Sequence, residues 1–360
     1  MRIALVATAL AGCEPDAVAS AAVTGWKKAR PADDIDVIIA SDGVPVAHVG
    51  TGLSRVFQQE HKDAVANEYC EALGPRRIFW VSETDRCGLL DLAEAATWDE
   101  HSDPRGSSAF LAHDIMRALE LGLTQIRIHL PALMAGSDVG LGLLSELSGI
   151  ELSWDSDEQL VVQAIEQARH RIGPLHIVVS YPFGQALAGF DGLAHTWQNA
   201  GLDPVLAQDF LQQTSGYVHK LERIRARWDL SFASKPFRRY EFDGVGGGLG
   251  LLFVLLRARL STMGSHLVFP ETPSDLYVYV TNAVELHVPS GLSTMTDRSQ
   301  EEGNPAILVV SRTELLRGEL ARLGLNGMYK LQSERAEHDF YHDDIVNIFS
   351  RLASTWGWDV

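Results

Sequence analysis

The chain reads as an α/β protein: a doubly wound parallel sheet built from both termini, with a second α/β domain inserted between them. Three observations lead there. Short apolar or β-branched runs alternate with helical patterns. The strand and helix rhythm of the N-terminal end returns at the C-terminal end, and 360 residues exceed one ordinary core.

The elements follow in order. Arg2 to Ala7 is a buried strand, and a helix begins near Pro15 with Val18, Ala21, Ala22, Gly25 and Trp26 on one face. Asp36 to Ala40 is the second strand. At the far end Leu276 to Thr281, Ala306 to Ser311 and Met328 to Leu331 read as strands, and the polar stretch Asp297 to Asn304 reads as a surface loop. Leu315, Leu316, Leu320 and Leu323 mark one helix there; Ile345, Ile348, Phe349 and Leu352 mark the last. Two strands from one end and three from the other complete a sheet of ordinary size, which places residues 1–74 and 271–360 in one discontinuous domain. Residues 75–270 form the insert, with strands Arg77 to Val81, Ile126 to Leu130 and His176 to Ser180. Its helices include Ala109 to Leu121 and Glu158 to Arg171, the second opened by Ser156-Asp157-Glu158.

Composition narrows the function. Thirty Lys and Arg stand against 47 Asp and Glu, a net charge of −17, which argues against nucleic-acid binding through a broad basic face. Cys13, Cys70 and Cys87 have no paired metal spacing and fit a reducing compartment. The longest apolar run, Leu249 to Leu256, is too short for a membrane span, so a cytoplasmic protein without a membrane partner is expected.

Three loops carry possible chemistry. Gly244-Val245-Gly246-Gly247-Gly248-Leu249-Gly250 runs into an apolar segment; such a loop suits an anion at a helix N-terminus or close packing against a neighbour. Ser41-Asp42-Gly43 follows the second strand, where open α/β sheets bind ligands, and also reads as a plain Asp-Gly turn. Gly136-Ser137-Asp138-Val139-Gly140-Leu141-Gly142 offers either an anion-compatible terminus or a helix cap by Ser137 or Asp138. His338, Asp339, His342, Asp343 and Asp344 are better placed to cap the last helix than to hold a metal. His101 and His113-Asp114 show no partner pattern. No serine-hydrolase elbow, zincin motif or Cys-x-x-Cys pair is present.

In this order the motifs resemble the bacterial type I glycerate kinase family along most of the chain. The Gly244 to Gly250 segment matches its GAAGGLG-like loop; Asp42-Gly43 matches part of its acidic loop after the second strand, and Asp138 and Gly140 part of its GGSATNDGG motif. Asp103 to Ser108 keeps the family's spacing, Asp91 stands where the family has Glu, and Ala186 to Ala194 resembles a further segment. The resemblance implies a flavodoxin-like domain with an inserted α/β domain, and transfer of the γ-phosphoryl of ATP, with Mg²⁺, to glycerate or a related small hydroxy acid in an interdomain cleft. Asp42 and Asp138 would be catalytic. Gly43, Ser137, Gly140, Gly244, Gly246, Gly247, Gly248 and Gly250 would contact substrate or phosphate.

Departures fall on the charged positions. The family's Asp-Ser-Phe-Lys-Gly reads Thr8-Ala9-Leu10-Ala11-Gly12, its Gly-Gly-Ser reads Ala132-Leu133-Met134, and its Thr-Gly-Glu-Gly-x-x-Asp reads Thr281 to His287. Because phosphoryl transfer rests on positioned charge, these changes imply an alternative: a pseudoenzyme that binds or senses a small molecule without turnover.

Overall fold

The computed structural model describes residues 1–69, 77–96, 104–228, 241–331 and 342–356. In chain order the elements are β1 (Arg2–Ala7), α1 (Pro15–Ala29), β2 (Asp34–Ile39), α2 (Leu53–Glu60), β3 (Val65–Tyr69), β4 (Arg77–Ser82), β5 (Cys87–Asp91) and α3 (Ala93–Ala96). Next come α4 (Phe110–Glu120), β6 (Gln125–His129), α5 (Leu141–Ser148), α6 (Glu158–Ile172), β7 (His176–Tyr181), α7 (Leu193–Asn199), α8 (Pro204–Trp228) and α9 (Leu249–Leu255). The chain continues with β8 (Arg259–Thr262), β9 (Leu276–Val284), α10 (Ser290–Glu302), β10 (Ala306–Thr313), α11 (Arg317–Arg322), β11 (Gly327–Lys330) and α12 (His342–Thr355). No described helix is long and apolar enough to cross a membrane.

The chain divides into two compact units, Met1–Glu60 with Thr262–Val360, and His61–Ser261. The divisions fall at 60/61 and 261/262, earlier than the 74/75 and 270/271 read from sequence. The first differs because β3 pairs antiparallel with β4 and so joins the inserted unit.

The terminal unit is a parallel five-stranded sheet in the order β11-β10-β9-β1-β2, the flavodoxin-like arrangement. Period-two alternation separates its two faces. Ile3, Leu5, Val278, Val280, Ile307 and Val309 pack with Trp26 of α1 and Phe349 of α12. Ala4, Val6, Tyr277, Tyr279, Leu308 and Val310 face Leu292 and Met295 of α10. Helix α1 starts at Pro15, whose missing N–H costs nothing at a first helical position, and ends with Lys27 and Lys28 at its negative dipole end. Asp343 and Asp344 lie in the first turn of α12, at its positive dipole end; His338 and Asp339 lie outside the described residues, as do Cys70, His101 and Asp103.

Asp297 to Asn304 is not a loop. Its first six residues complete α10, and Gly303 closes the helix at φ 71°. The buried face carries Thr296 and Ser299 beside Leu292 and Met295, and their hydroxyls bond to the carbonyls of Ser293 and Thr296. That face therefore looks polar in the sequence although it is buried.

The inserted unit is a six-stranded sheet, β3-β4-β5-β6-β7-β8. Its β3, β4 and β5 run antiparallel, while β5, β6 and β7 are parallel. Ile126, Ile128, Ile177 and Val179 anchor a core shared with Leu111 and Ile115 of α4, Leu143 and Leu144 of α5, and Ile165 of α6. Asp157 caps α6 by accepting the Leu160 N–H at 2.8 Å. Asp114, without a visible partner in sequence, receives a two-pronged bond from Arg77 at 2.7 and 2.8 Å, both side chains fully buried. Arg77 also lies 4.8 Å from the Phe110 ring centroid.

Candidate functional site

The sequence-derived site residues fall into two groups, one in each unit.

In the terminal unit the chain order reverses between β1 and β9: β1 connects onward to β2 on one side, while β9 lies on its other side. Ligands of open α/β sheets bind beyond the strand ends at such a point. Asp42, just after β2, sits there. Its Oδ1 accepts the Tyr279 hydroxyl at 2.6 Å; its Oδ2 accepts the Thr281 hydroxyl at 2.5 Å and lies 3.0 Å from that of Thr8. Thr8 also lies 3.1 Å from the Val280 carbonyl, and its single proton serves one acceptor at a time. Gly43 is buried at φ 73°, with its N–H donated to Ser41 Oγ at 2.9 Å. Sequence reasoning did not give Tyr279 or Thr281 a role; they flank Val280 within β9, which pairs with Ala7 at the end of β1 beside the switch point, and that register was the available signal.

Burial raises the Asp42 carboxyl above the usual carboxylate range, opposed in part by the three hydroxyl donors. Burial and the neighbouring Asp42 push the Tyr279 phenol well up, so it remains a donor. A raised native value means that the folded chain holds this proton more tightly than the unfolded chain. Stability must therefore fall as pH rises from about 3.9, the unfolded Asp value, through the native one. Urea unfolding across acid pH should show that decline in the wild type relative to Asp42→Asn; parallel curves would contradict it.

The neighbouring start of α1 is unsuited to an anion. Pro15 offers no N–H, Glu14 stands at the N-cap, and Asp16 lies in the first turn. Burial and these two acids raise the Cys13 thiol to about 11.

In the inserted unit Asp138 and the glycine loop lie together. The Asp138 carboxylate accepts from Ser108 N at 2.8 Å, Ser108 Oγ at 2.6 Å, Gly140 N at 3.0 Å and Gly142 N at 2.9 Å. Each oxygen takes two donors, which saturates the group. Ser137 Oγ donates to the Gly247 carbonyl and accepts Val139 N at 3.0 Å. Gly140, at φ 78°, precedes α5 and packs on Leu252. The glycine loop is buried from Val245 through Gly250. Its amides are engaged internally: Gly244 N reaches Gln185 O at 2.8 Å, Gly246 N reaches Pro131 O at 3.0 Å, Gly248 N reaches Gly244 O at 3.0 Å, and Gly250 N reaches Val245 O at 3.1 Å.

These arrangements decide what each group fits. An anion cradle needs free N–H groups, and four of this loop's five glycine amides have internal acceptors, which agrees with the close-packing reading of the loop. Asp138 has no acceptor capacity left for Mg²⁺ or a substrate hydroxyl. Among the described residues no group of three or more His, Cys, Asp and Glu comes together to hold a metal ion. Asp42 differs: its Oδ1 has one donor among the described residues and retains room for another hydroxyl.

No protein-family profile and no curated protein matches the chain. Among solved structures, it is similar to the crystal structure of "putative glycerate kinase 2" from Salmonella typhimurium LT2, with a TM-score of 0.68 over 99% of this chain and 98% of that one. The chain has a glycerate-kinase-like fold. At 16% identity the likeness concerns the fold, and the glycerate-kinase-like frame hosts the Asp42 cluster and the Asp138 knot described above.

Proposed function

We propose that this protein phosphorylates glycerate or a related small hydroxy acid from ATP, with Asp42 orienting the acceptor hydroxyl. The observation carrying this reading is the Asp42 carboxylate at the switch point, held by Thr281 and Tyr279 with acceptor capacity on Oδ1. A carboxyl raised by burial is a better proton acceptor near neutral pH than an exposed one. The full-length likeness to a glycerate kinase structure supports the reaction class. Phosphate would be held by residues other than the glycine loop, four of whose five glycine amides have internal acceptors.

The internal engagement of Asp138 and of the loop amides favours a second reading, in which the protein binds its small hydroxy acid without turnover. A coupled assay with ATP, Mg²⁺ and glycerate, joined to calorimetric titration of glycerate, separates the two. Turnover that falls about 10²–10⁴-fold in Asp42→Asn supports the kinase. Glycerate binding without turnover supports the second reading, and neither binding nor turnover sinks both.

A further inference from the structure

A cavity of about 560 Å³ in the inserted unit gathers arginines in a strongly acidic chain. Arg169 from α6, Arg225 and Arg227 from α8, and Arg257 beyond α9 line it, with Trp228 and a single acid, Glu166. Arg225 is engaged by Asp243 at 2.5 Å. Arg227 shares the Glu158 carboxylate with Arg223, so one acid serves two guanidinia. Arg169 donates Nε to the Leu255 carbonyl at 2.7 Å and lies 4.1 Å from the Trp228 ring centroid, which leaves its terminal nitrogens without a partner among the described residues. Arg257 is exposed and likewise has no partner among them. Counted with Arg223, five guanidinia meet three carboxylates among the described residues, Glu158, Glu166 and Asp243.

The placement of Arg257 is unusual. It follows α9 at φ 64°, with its N–H on Val254 O at 3.0 Å and the next N–H on Phe253 O at 2.9 Å. Glycine is the usual residue where a helix closes in this way. An arginine there accepts a disfavoured conformation and sets its charge beside Arg169, whose own guanidinium is disfavoured by burial and by Arg257. The carbonyl end of α9 offsets part of that repulsion. Glu166, the one acid in the lining, offsets only part of the charge of the pair; the remaining excess suits an oxyanion, and guanidinium forks suit phosphate geometry.

We propose that this cavity binds a small phosphorylated molecule, its phosphate received by Arg169 and Arg257. Its lining residues belong to the inserted unit, whereas Asp42 belongs to the terminal unit. Calorimetric titration with inorganic phosphate and with pyrophosphate at low ionic strength provides the test. Saturable binding that weakens with salt, falls about tenfold in the exposed variant Arg257→Ala, and persists in Asp42→Asn is expected. Arg257→Lys should recover part of the loss, and circular dichroism checks that each variant is folded. Absence of saturable binding by both anions, affinity unchanged in folded Arg257→Ala, or malonate bound as tightly as phosphate would overturn the proposal.

Discussion

Asp138→Ala is expected to lower stability by about 3 kcal/mol or more, read as a shift in the urea midpoint at an unchanged slope. The truncation leaves the N–H groups of Ser108, Gly140 and Gly142 and the Ser108 hydroxyl without their acceptor. Ser108 Oγ in turn receives Leu143 N at 3.0 Å, so the damage reaches the first turn of α5. Each orphaned buried donor costs about 1–3 kcal/mol, less whatever water recovers. Asp138→Asn keeps the shape but turns an amide donor towards other donors, and should fall between alanine and wild type. A stable Asp138→Ala protein that had lost only turnover would assign the carboxylate to chemistry and refute the structural account.

Asp138 also shows how far the sequence could be read. The strand Arg2 to Ala7 was visible to the residue because a parallel strand covered on both faces is a continuous apolar run. The discontinuous sheet followed from the same rhythm at both ends. Thr296 and Ser299 hid α10, since buried hydroxyls bonded to their own helix backbone look like solvent-facing residues. Arg77 and Asp114 could not be paired in advance, because their 37-residue separation has no local signature. At the site, the loop positions of Asp42 and Asp138 were legible, but their partners were not. Both carboxylates look alike in sequence. Only the count of donors around each distinguishes an acceptor with capacity left from one that is filled.

The glycine loop gives the sharpest contrast between a motif and its use. Gly250→Ala should destabilise the protein by about 3 kcal/mol, at the upper end for forcing atoms into a packed interior. Its new methyl would run into the Phe242 carbonyl oxygen, which already receives Val245 N at 3.2 Å and belongs to backbone that no rotamer change can move. Relief is blocked nearby: an ideal Cβ at Gly246 stands 2.8 Å from Leu130, and one at Gly248 stands 2.9 Å from Val139. Gly216 supplies the control, because it lies in α8 with nothing within 4 Å of a Cβ. Gly216→Ala should instead stabilise by roughly 0.5–1 kcal/mol through helix propensity. Thermal melts of the two variants should therefore move in opposite directions. If Gly250→Ala melts like wild type yet loses binding of a nucleotide, the loop is a ligand wall, and its packing against Phe242, Leu130 and Val139 is incidental.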